Sequence, residues 1–438
     1  MIKEKTLTQV IDGDYLDFAL YTLQSRAIPS VIDGFKSTQR KLLYAMLNDH
    51  SGKRVKCADL GGISKFNYHH GEDSAIKTAI SLSAAWSNNA SIFEPHGNFG
   101  TRLVQEASGA RYIYASLSEN YKKYFTDNEV APVSFDIENP EPAYYLPIIP
   151  WVLVNGIAGM AVGFKTEILS RSISDIVSNV KLCLKNRTKF LDENKTIKPT
   201  FPNFTGEVVY HDVNQWKTRG KIEYIGKYTY SITELPIGYD RASYVTLLNE
   251  LCDKELIKDY DDTCSKLGFG FKIKVSTSQK EQIDKDAHKY FKLEKIHTEI
   301  LTTMGIDGKL KIFSTVAELI AYFCDYRLIK FKDKIEYDKT KIINEISYLD
   351  DKGKFINEVV DNKINFRKSN KDDLLAYIFE WVTKADHGKK FVNIPLYECT
   401  KDSLKILSEK IQSLKEELTV IENLEPIDVF ESKLKGLK

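Results

Sequence analysis

The sequence predicts a multidomain α+β protein that ends in a long antiparallel coiled coil. Three observations predict it. The chain has 438 residues, more than a single core usually holds, so two or three domains are expected. The hydrophobic period is helical up to residue 145, alternates from 205, and turns helical again from 316. The last stretch carries the strongest periodicity of all.

The N-terminal part opens with a helical period over Asp12 to Leu23, set by Tyr15, Leu16, Ala19, Leu20 and Leu23. Pro29 and Gly34 close that unit. A second helix starts in Ser37-Thr38-Gln39-Arg40-Lys41, with Ser37 or Thr38 as N-cap. A third runs from Ser74 to Ala85. Tyr144 to Phe164 is the most apolar stretch. It holds Pro147, Pro150, Gly156, Gly159 and Gly163, too many breakers for a spanning helix, so it reads as buried loop and strand. From 205 the segments 206–210, 221–225, 228–233 and 269–275 alternate like strands, with a helix over Ala242 to Asp253 among them.

In the last part Leu404, Leu407, Ile411, Leu414, Leu418 and Ile421 step by three and four, a heptad seam. Leu328, Phe331, Ile335, Ile342, Ile346 and Leu349 form a similar, broken stripe. Two such helices on either side of an intervening segment predict an antiparallel pair with a small globular knob at its tip. Two independent surface helices are the alternative.

Composition is that of a globular protein, 42% hydrophobic and 28% charged, which excludes wholesale disorder. The net charge is +1, so any nucleic-acid binding rests on local basic patches. The six cysteines form no CxxC pair and no zinc spacing, so free thiols in a reducing, cytoplasmic compartment are expected. Met1 to Lys5 shows no apolar run of a leader, and no membrane partner is expected.

The chemistry concentrates in three stretches. They are Tyr68-His69-His70-Gly71-Glu72, then His96-Gly97-Asn98-Phe99-Gly100-Thr101-Arg102, then Ala110-Arg111-Tyr112-Ile113. A free tyrosine hydroxyl, with pKa about 10, is almost wholly protonated at pH 7, and closing that gap costs about 4 kcal/mol. A neighbouring cation lowers this cost and stabilises charge building on a phosphate. Arg111 is the adjacent candidate, and His69 and His70 could contact the phosphate or relay a proton. With 24 tyrosines in the chain, the Arg-Tyr pair alone would mean only a packed ring. Lys36, Arg40 and Lys41 sit at a helix start, where exposed N–H groups also favour phosphate. Lys56 lies beside Gly61-Gly62 with Lys53, Arg54 and Lys65, and Arg102 follows a glycine-rich turn. Phosphate contacts of this kind fix position without reading sequence.

Val31-Ile32-Asp33-Gly34-Phe35-Lys36-Ser37-Thr38-Gln39-Arg40-Lys41 resembles the segment that opens the winged-helix domain of type IIA DNA topoisomerases. The three stretches above follow in that family's order and spacing. Tyr145-Leu146-Pro147-Ile148-Ile149-Pro150, Val152-Leu153-Val154-Asn155-Gly156, Ile232-Thr233-Glu234-Leu235-Pro236-Ile237 and Asn393-Ile394-Pro395-Leu396-Tyr397 are similar to further family segments. The resemblance covers nearly the whole chain. The short length and the His-His-Gly-Glu and Phe-Gly-Thr-Arg forms are most similar to the bacteriophage branch.

The resemblance implies a breakage-reunion subunit with three domains. An arm and winged-helix catalytic domain would span 1–145, an α/β tower 146–315, and a coiled coil with a C-terminal dimerisation gate 316–438. Tyr112 would attack double-stranded DNA and take a 5′-phosphate, Arg111 would hold the scissile phosphate, and His70 with His69 would sit near it. The group that accepts the tyrosine proton is left open. Met160, after Gly159, would enter between base pairs as an apolar wedge. The family usually has isoleucine there. His96 and Asp73 also depart from the usual residues, so inhibitor response does not carry over.

The chemistry implied by the family needs Mg²⁺ and ATP. No Glu-Gly-Asp-Ser or Asp-x-Asp constellation occurs. Asp261-Asp262 and Asp350-Asp351 read as solvated turns, and Gly220 to Lys227 is one residue too long for a phosphate loop and lacks its Ser or Thr. No metal ligand is therefore assigned to this chain. A separate ATPase/Toprim subunit would supply both, and a homodimer closed by the coiled coils would cut both strands. Relaxation and strand passage are expected, not active supercoiling. The rival expectations are a non-catalytic DNA-bending scaffold of the same shape and a self-sufficient tyrosine recombinase or nuclease.

Overall fold

The structure is a computed structural model that describes residues 6–194, 196–361, 363–364 and 370–437. It divides into two compact units, Met1–Arg327 with Lys433–Lys438, and Leu328–Ser432.

The first unit opens with a helical run from Leu7 to Ala27 that includes π-helical turns at Val10–Tyr15 and Leu23–Ala27. It buries Ala19, Leu23 and Ala27, whereas Tyr15, Leu16 and Leu20 face solvent. The expected helical period is present, but three of the five apolar residues that revealed it are not in the core. The next helix is Ser37–Asn48. Its N-cap is Lys36, one residue before the expected caps, because the Gln39 side chain turns back to accept the Lys36 N–H. Helix Glu72–Ser83 follows, two residues earlier than its sequence pattern suggested. These helices pack with a three-stranded antiparallel sheet in which Tyr114–Leu117 lies between Val55–Lys56 and Phe93–His96.

The apolar stretch is buried from Tyr144 to Val154, where it adds one short helix, Trp151–Asn155, but its second half differs from expectation, with Ala158, Met160 and Phe164 exposed. Strands Ile157–Ala161 and Phe164–Ile168 then form a hairpin, with Met160 opposite Lys165. Beyond it lie a four-stranded sheet, ordered 259–262, 271–274, 229–234 and 221–226, and a three-stranded sheet, ordered 294–298, 215–219 and 207–212. Phe271, Ile273, Ile232, Tyr244 and Leu248 fill the core where helix Arg241–Asp253 covers the larger sheet. Leu301–Met304 and Leu310–Phe313 form a further hairpin. Deep in this unit Arg171 holds Glu299 through two bonds, Nη1 at 2.8 Å and Nη2 at 2.7 Å, both side chains nearly inaccessible. No helix among the described residues is long and apolar enough to cross a membrane.

The second unit takes its backbone from the part of helix Val316–Val360 that follows Arg327 and from helix Lys401–Glu422. Ile342, Ile346 and Leu349 meet Leu407, Ile411, Leu414, Leu418 and Ile421 in one apolar seam. Lys410 pairs with Glu345 at 2.7 Å, and Glu398, just before the second helix, pairs with Lys352 further along the first at 3.0 Å, so the helices are antiparallel. Phe331 packs on Phe430 with ring centroids 4.9 Å apart. A compact cluster of Phe355, Ile356, Leu374, Ile378 and Phe391 forms a knob between the two helices in sequence.

Candidate active site

Tyr112 sits in a tight turn whose neighbour is the anchor. Ile113 is buried, and the turn is pinned by Cys57 N–H to Ile113 O at 3.0 Å and Tyr112 N–H to Gly109 O at 2.9 Å. Gly97 packs on Ile113. A Cβ there would lie 2.9 Å from Ile113 Cγ2, and its φ of +120° suits only glycine. With its neighbour held this firmly, Tyr112 points outward and is 72% exposed. The Arg111 guanidinium lies 5.7 Å from the Tyr112 ring centroid.

His70 lies edge-on to Tyr68, with ring centroids 5.1 Å apart. Arg26 Nη2 reaches His70 Nδ1 at 2.9 Å. A guanidinium only donates, so Nδ1 must accept, and the proton of the neutral ring sits on Nε2. Burial, Arg26 and then His69 all lower the His70 pKa, which favours this neutral form. His69 is exposed and shares a 240 Å³ cleft with His70, Tyr21, Ser25 and Asn67. A second cleft of 730 Å³ is lined by Arg26, Lys36, Gln39, Lys77 and Asn155. Arg26 and Lys77 were not singled out from the sequence. Arg26 hid because its partner lies 44 residues away. Lys77 could have been found, since it falls on the same helix as Glu72.

The basic residues expected on DNA separate into two groups. Lys56 is exposed on its strand, and Met160 is 76% exposed on the hairpin. Lys36 lines the larger cleft and donates from Nζ to Ala158 O at 2.7 Å, with its pKa lowered by burial. The other three are ion-paired within the protein. Arg40 is held by Asp33 at 2.9 Å and by Phe35 O at 3.0 Å. Lys41 is 3% exposed, pairs with Glu141 at 2.8 Å and donates to Phe66 O and Asn139. Arg102 pairs with Glu234 at 2.9 Å, with the Phe204 and Phe269 rings each 5.3 Å away. Each charge is matched inside the protein by a carboxylate, which removes it from the field that attracts phosphate. These three hold the fold around the site.

Arg111 stands beside Tyr112, and the cleft that holds His69 and His70 is also lined by the carboxylates Asp136 and Glu138, both within 3.4 Å of the Asn67 amide. Among the described residues, no three His, Cys, Asp or Glu are grouped to hold a metal ion.

Tyr112 beside Arg111, and His70 held by Arg26 at the edge of a basic cleft, are groups whose chemistry suits a phosphodiester backbone. The model of the DNA gyrase/topoisomerase IV family, in its A-type subunit, matches residues 26–435, and the chain belongs to that family. It is 32% identical over 449 residues to the DNA topoisomerase medium subunit of Enterobacteria phage T4, spanning 100% of both chains. It is 29% identical over 459 residues to the mitochondrial DNA topoisomerase 2 of Dictyostelium discoideum, of which it spans 35%. Among solved structures, the topoisomerase II DNA-binding, cleavage and re-ligation domain of Plasmodium falciparum superposes with a TM-score of 0.87 at 26% identity, covering 97% of this chain and 63% of that one.

Proposed function

We propose that Tyr112 of this topoisomerase subunit opens and reseals duplex DNA. Its phenolic oxygen attacks the scissile phosphorus and gives up its proton, the P–O3′ bond breaks, and the 3′-oxygen takes up one proton, by way of solvent, to leave as a hydroxyl. A 5′-phosphotyrosyl link stores the bond energy. The 3′-hydroxyl attacks that link to reverse the step, so no net oxidation, reduction or hydrolysis occurs. Arg111 balances charge on the phosphate. His70, with Nδ1 occupied by Arg26, offers Nε2–H to a non-bridging oxygen, and His69 stands beside it. Lys36, Lys56 and Lys77 hold the backbone, and Met160 enters the stack as a wedge.

The single observation that carries this reading is the outward Tyr112 on a rigidly seated turn next to Arg111. On the same reading, 1–145 is the arm and winged-helix domain, 146–315 the tower, and 316–438 the coiled coil and gate. Two copies pair through that gate. A separate ATPase/Toprim subunit binds ATP and Mg²⁺, whose chemistry is charge neutralisation at the phosphate. The assembly relaxes and decatenates DNA in the cytoplasm of its cell, where the six thiols remain free.

The test is reconstitution with the partner subunit, Mg²⁺ and supercoiled plasmid, followed by detergent trapping. Wild type is expected to give protein-linked linear DNA, and Tyr112→Phe none. The exposed Met160 also suits a DNA-bending scaffold without chemistry. That second reading is the outcome if DNA bends and no adduct forms under any condition.

A further inference from the structure

Gly159 lies in an extended strand, where any residue fits the backbone, so its identity needs another reason. That reason is contact. A Cβ on Gly159 would stand 2.1 Å from the Ala27 carbonyl oxygen and 2.9 Å from Lys36 Nζ. The hairpin that carries Met160 is therefore seated directly on the end of the first helical run. Lys36 closes the same side of the seat through its 2.7 Å bond to Ala158 O. Ala161 completes it by packing against the Leu23, Ala27, Ile28 and Met304 cluster. Ala27 follows Arg26, and Arg26 holds His70. One short path thus runs from the exposed Met160 through Gly159 and the Ala27 carbonyl to the Arg26–His70 pair.

We infer that Gly159 is a positioning residue that couples the wedge to the phosphate-binding pair. Entry of Met160 into the duplex loads the hairpin, and the bare glycine backbone passes that load to Ala27. The consequence is that Arg26 and His70 reach the phosphate only when the DNA is kinked. Van der Waals contact between close-packed backbones transmits such displacements with little loss. This rests on the roles of Tyr112, His70 and Met160 proposed above, and adds a device that makes cleavage conditional on bending.

The test compares two readouts on one duplex, in the reconstituted complex with Mg²⁺. Bending is read by energy transfer between dyes at the duplex ends, and cleavage by the trapped adduct. Gly159→Ala must push the hairpin off Ala27. It is expected to leave the bend and the duplex affinity within threefold of wild type while lowering the adduct at least tenfold. Met160→Ala is expected to lose both. Ala161→Gly, a milder change that loosens the seat without a clash, is expected to lower the adduct two- to fivefold with the bend retained, and it carries the test if Gly159→Ala misfolds. Parallel loss of bending and cleavage, or wild-type cleavage in Gly159→Ala and Ala161→Gly, would overturn the coupling. Absence of any adduct on wild-type Tyr112 would instead remove the reading beneath it, a distinct result.

Discussion

Arg26 donates from Nη2 to Nδ1 of His70 across 2.9 Å. The bond joins the end of the first helical run to the residues just before the Glu72–Ser83 helix, and it selects the tautomer of the imidazole that lines the smaller cleft. Burial, Arg26 and His69 all act to keep that ring neutral.

Loss of Arg26 should therefore raise the His70 pKa. In Arg26→Ala the titration of the His70 ring, followed by NMR, is expected to move to higher pH. The acid limb of adduct formation should move the same way, because protonation then occurs at a pH where wild type is neutral. A His70 titration unchanged by the substitution would show that Arg26 does not set the charge.

His297 gives a pH dependence of stability. Burial pushes its pKa from 6.5 down to about 4, with Lys295 adding to the effect and Glu167 opposing it. The unfolded chain binds this proton near 6.5 and the folded chain does not, so stability is present above 6.5 and falls as pH drops towards 4. Between pH 7 and 5 this one ring should cost about 2 kcal/mol. Urea unfolding of His297→Gln is expected to show that much less acid sensitivity than wild type. Equal sensitivity would contradict it.

Arg171 and Glu299 test the core. Both are buried, and Glu299 also accepts the Leu169 N–H at 3.0 Å. Glu299→Ala leaves a guanidinium without its counter-charge, which should cost about 3–5 kcal/mol. Replacing both by apolar residues should cost much less. A denaturant midpoint unmoved by Glu299→Ala would refute the pair's structural role.

The basic residues can be sorted by salt dependence. Lys56→Ala should lower the slope of log K against log salt by about 0.9, the amount one released counterion contributes. Lys41→Met should leave that slope unchanged and lower stability, since its charge is matched by Glu141. Filter or anisotropy titrations over several salt concentrations decide both. A slope change for Lys41→Met would show that the ion pair opens on DNA.

What could be read from the sequence was whatever depends on local period. The seam from Leu407 to Ile421 pairs with Ile342, Ile346 and Leu349 as the heptads implied, because one apolar stripe at that spacing has few other places to go. Strands Lys221–Gly226 and Thr229–Glu234 showed their alternation. Strands Asp259–Asp262 and Glu294–Thr298 did not, since these edge strands turn Tyr260 and His297 inward among acids and bases, so their inward face carries too few apolar residues to alternate in the sequence. At the site, Tyr112 and Arg111 are neighbours in sequence and could be found together. Arg26 with His70, and Lys41 with Glu141, are joined only by folding, and no local pattern announces a partner 44 or 100 residues away.

The central claim is tested most directly by locating the DNA on the protein. The reconstituted complex is trapped on duplex DNA, digested with protease and nuclease, and sequenced by mass spectrometry. A nucleotide joined through its 5′-phosphate to the Tyr112 hydroxyl is expected, with no adduct in Tyr112→Phe. A nucleotide on any other side chain, or a 3′-phosphate link, would contradict it.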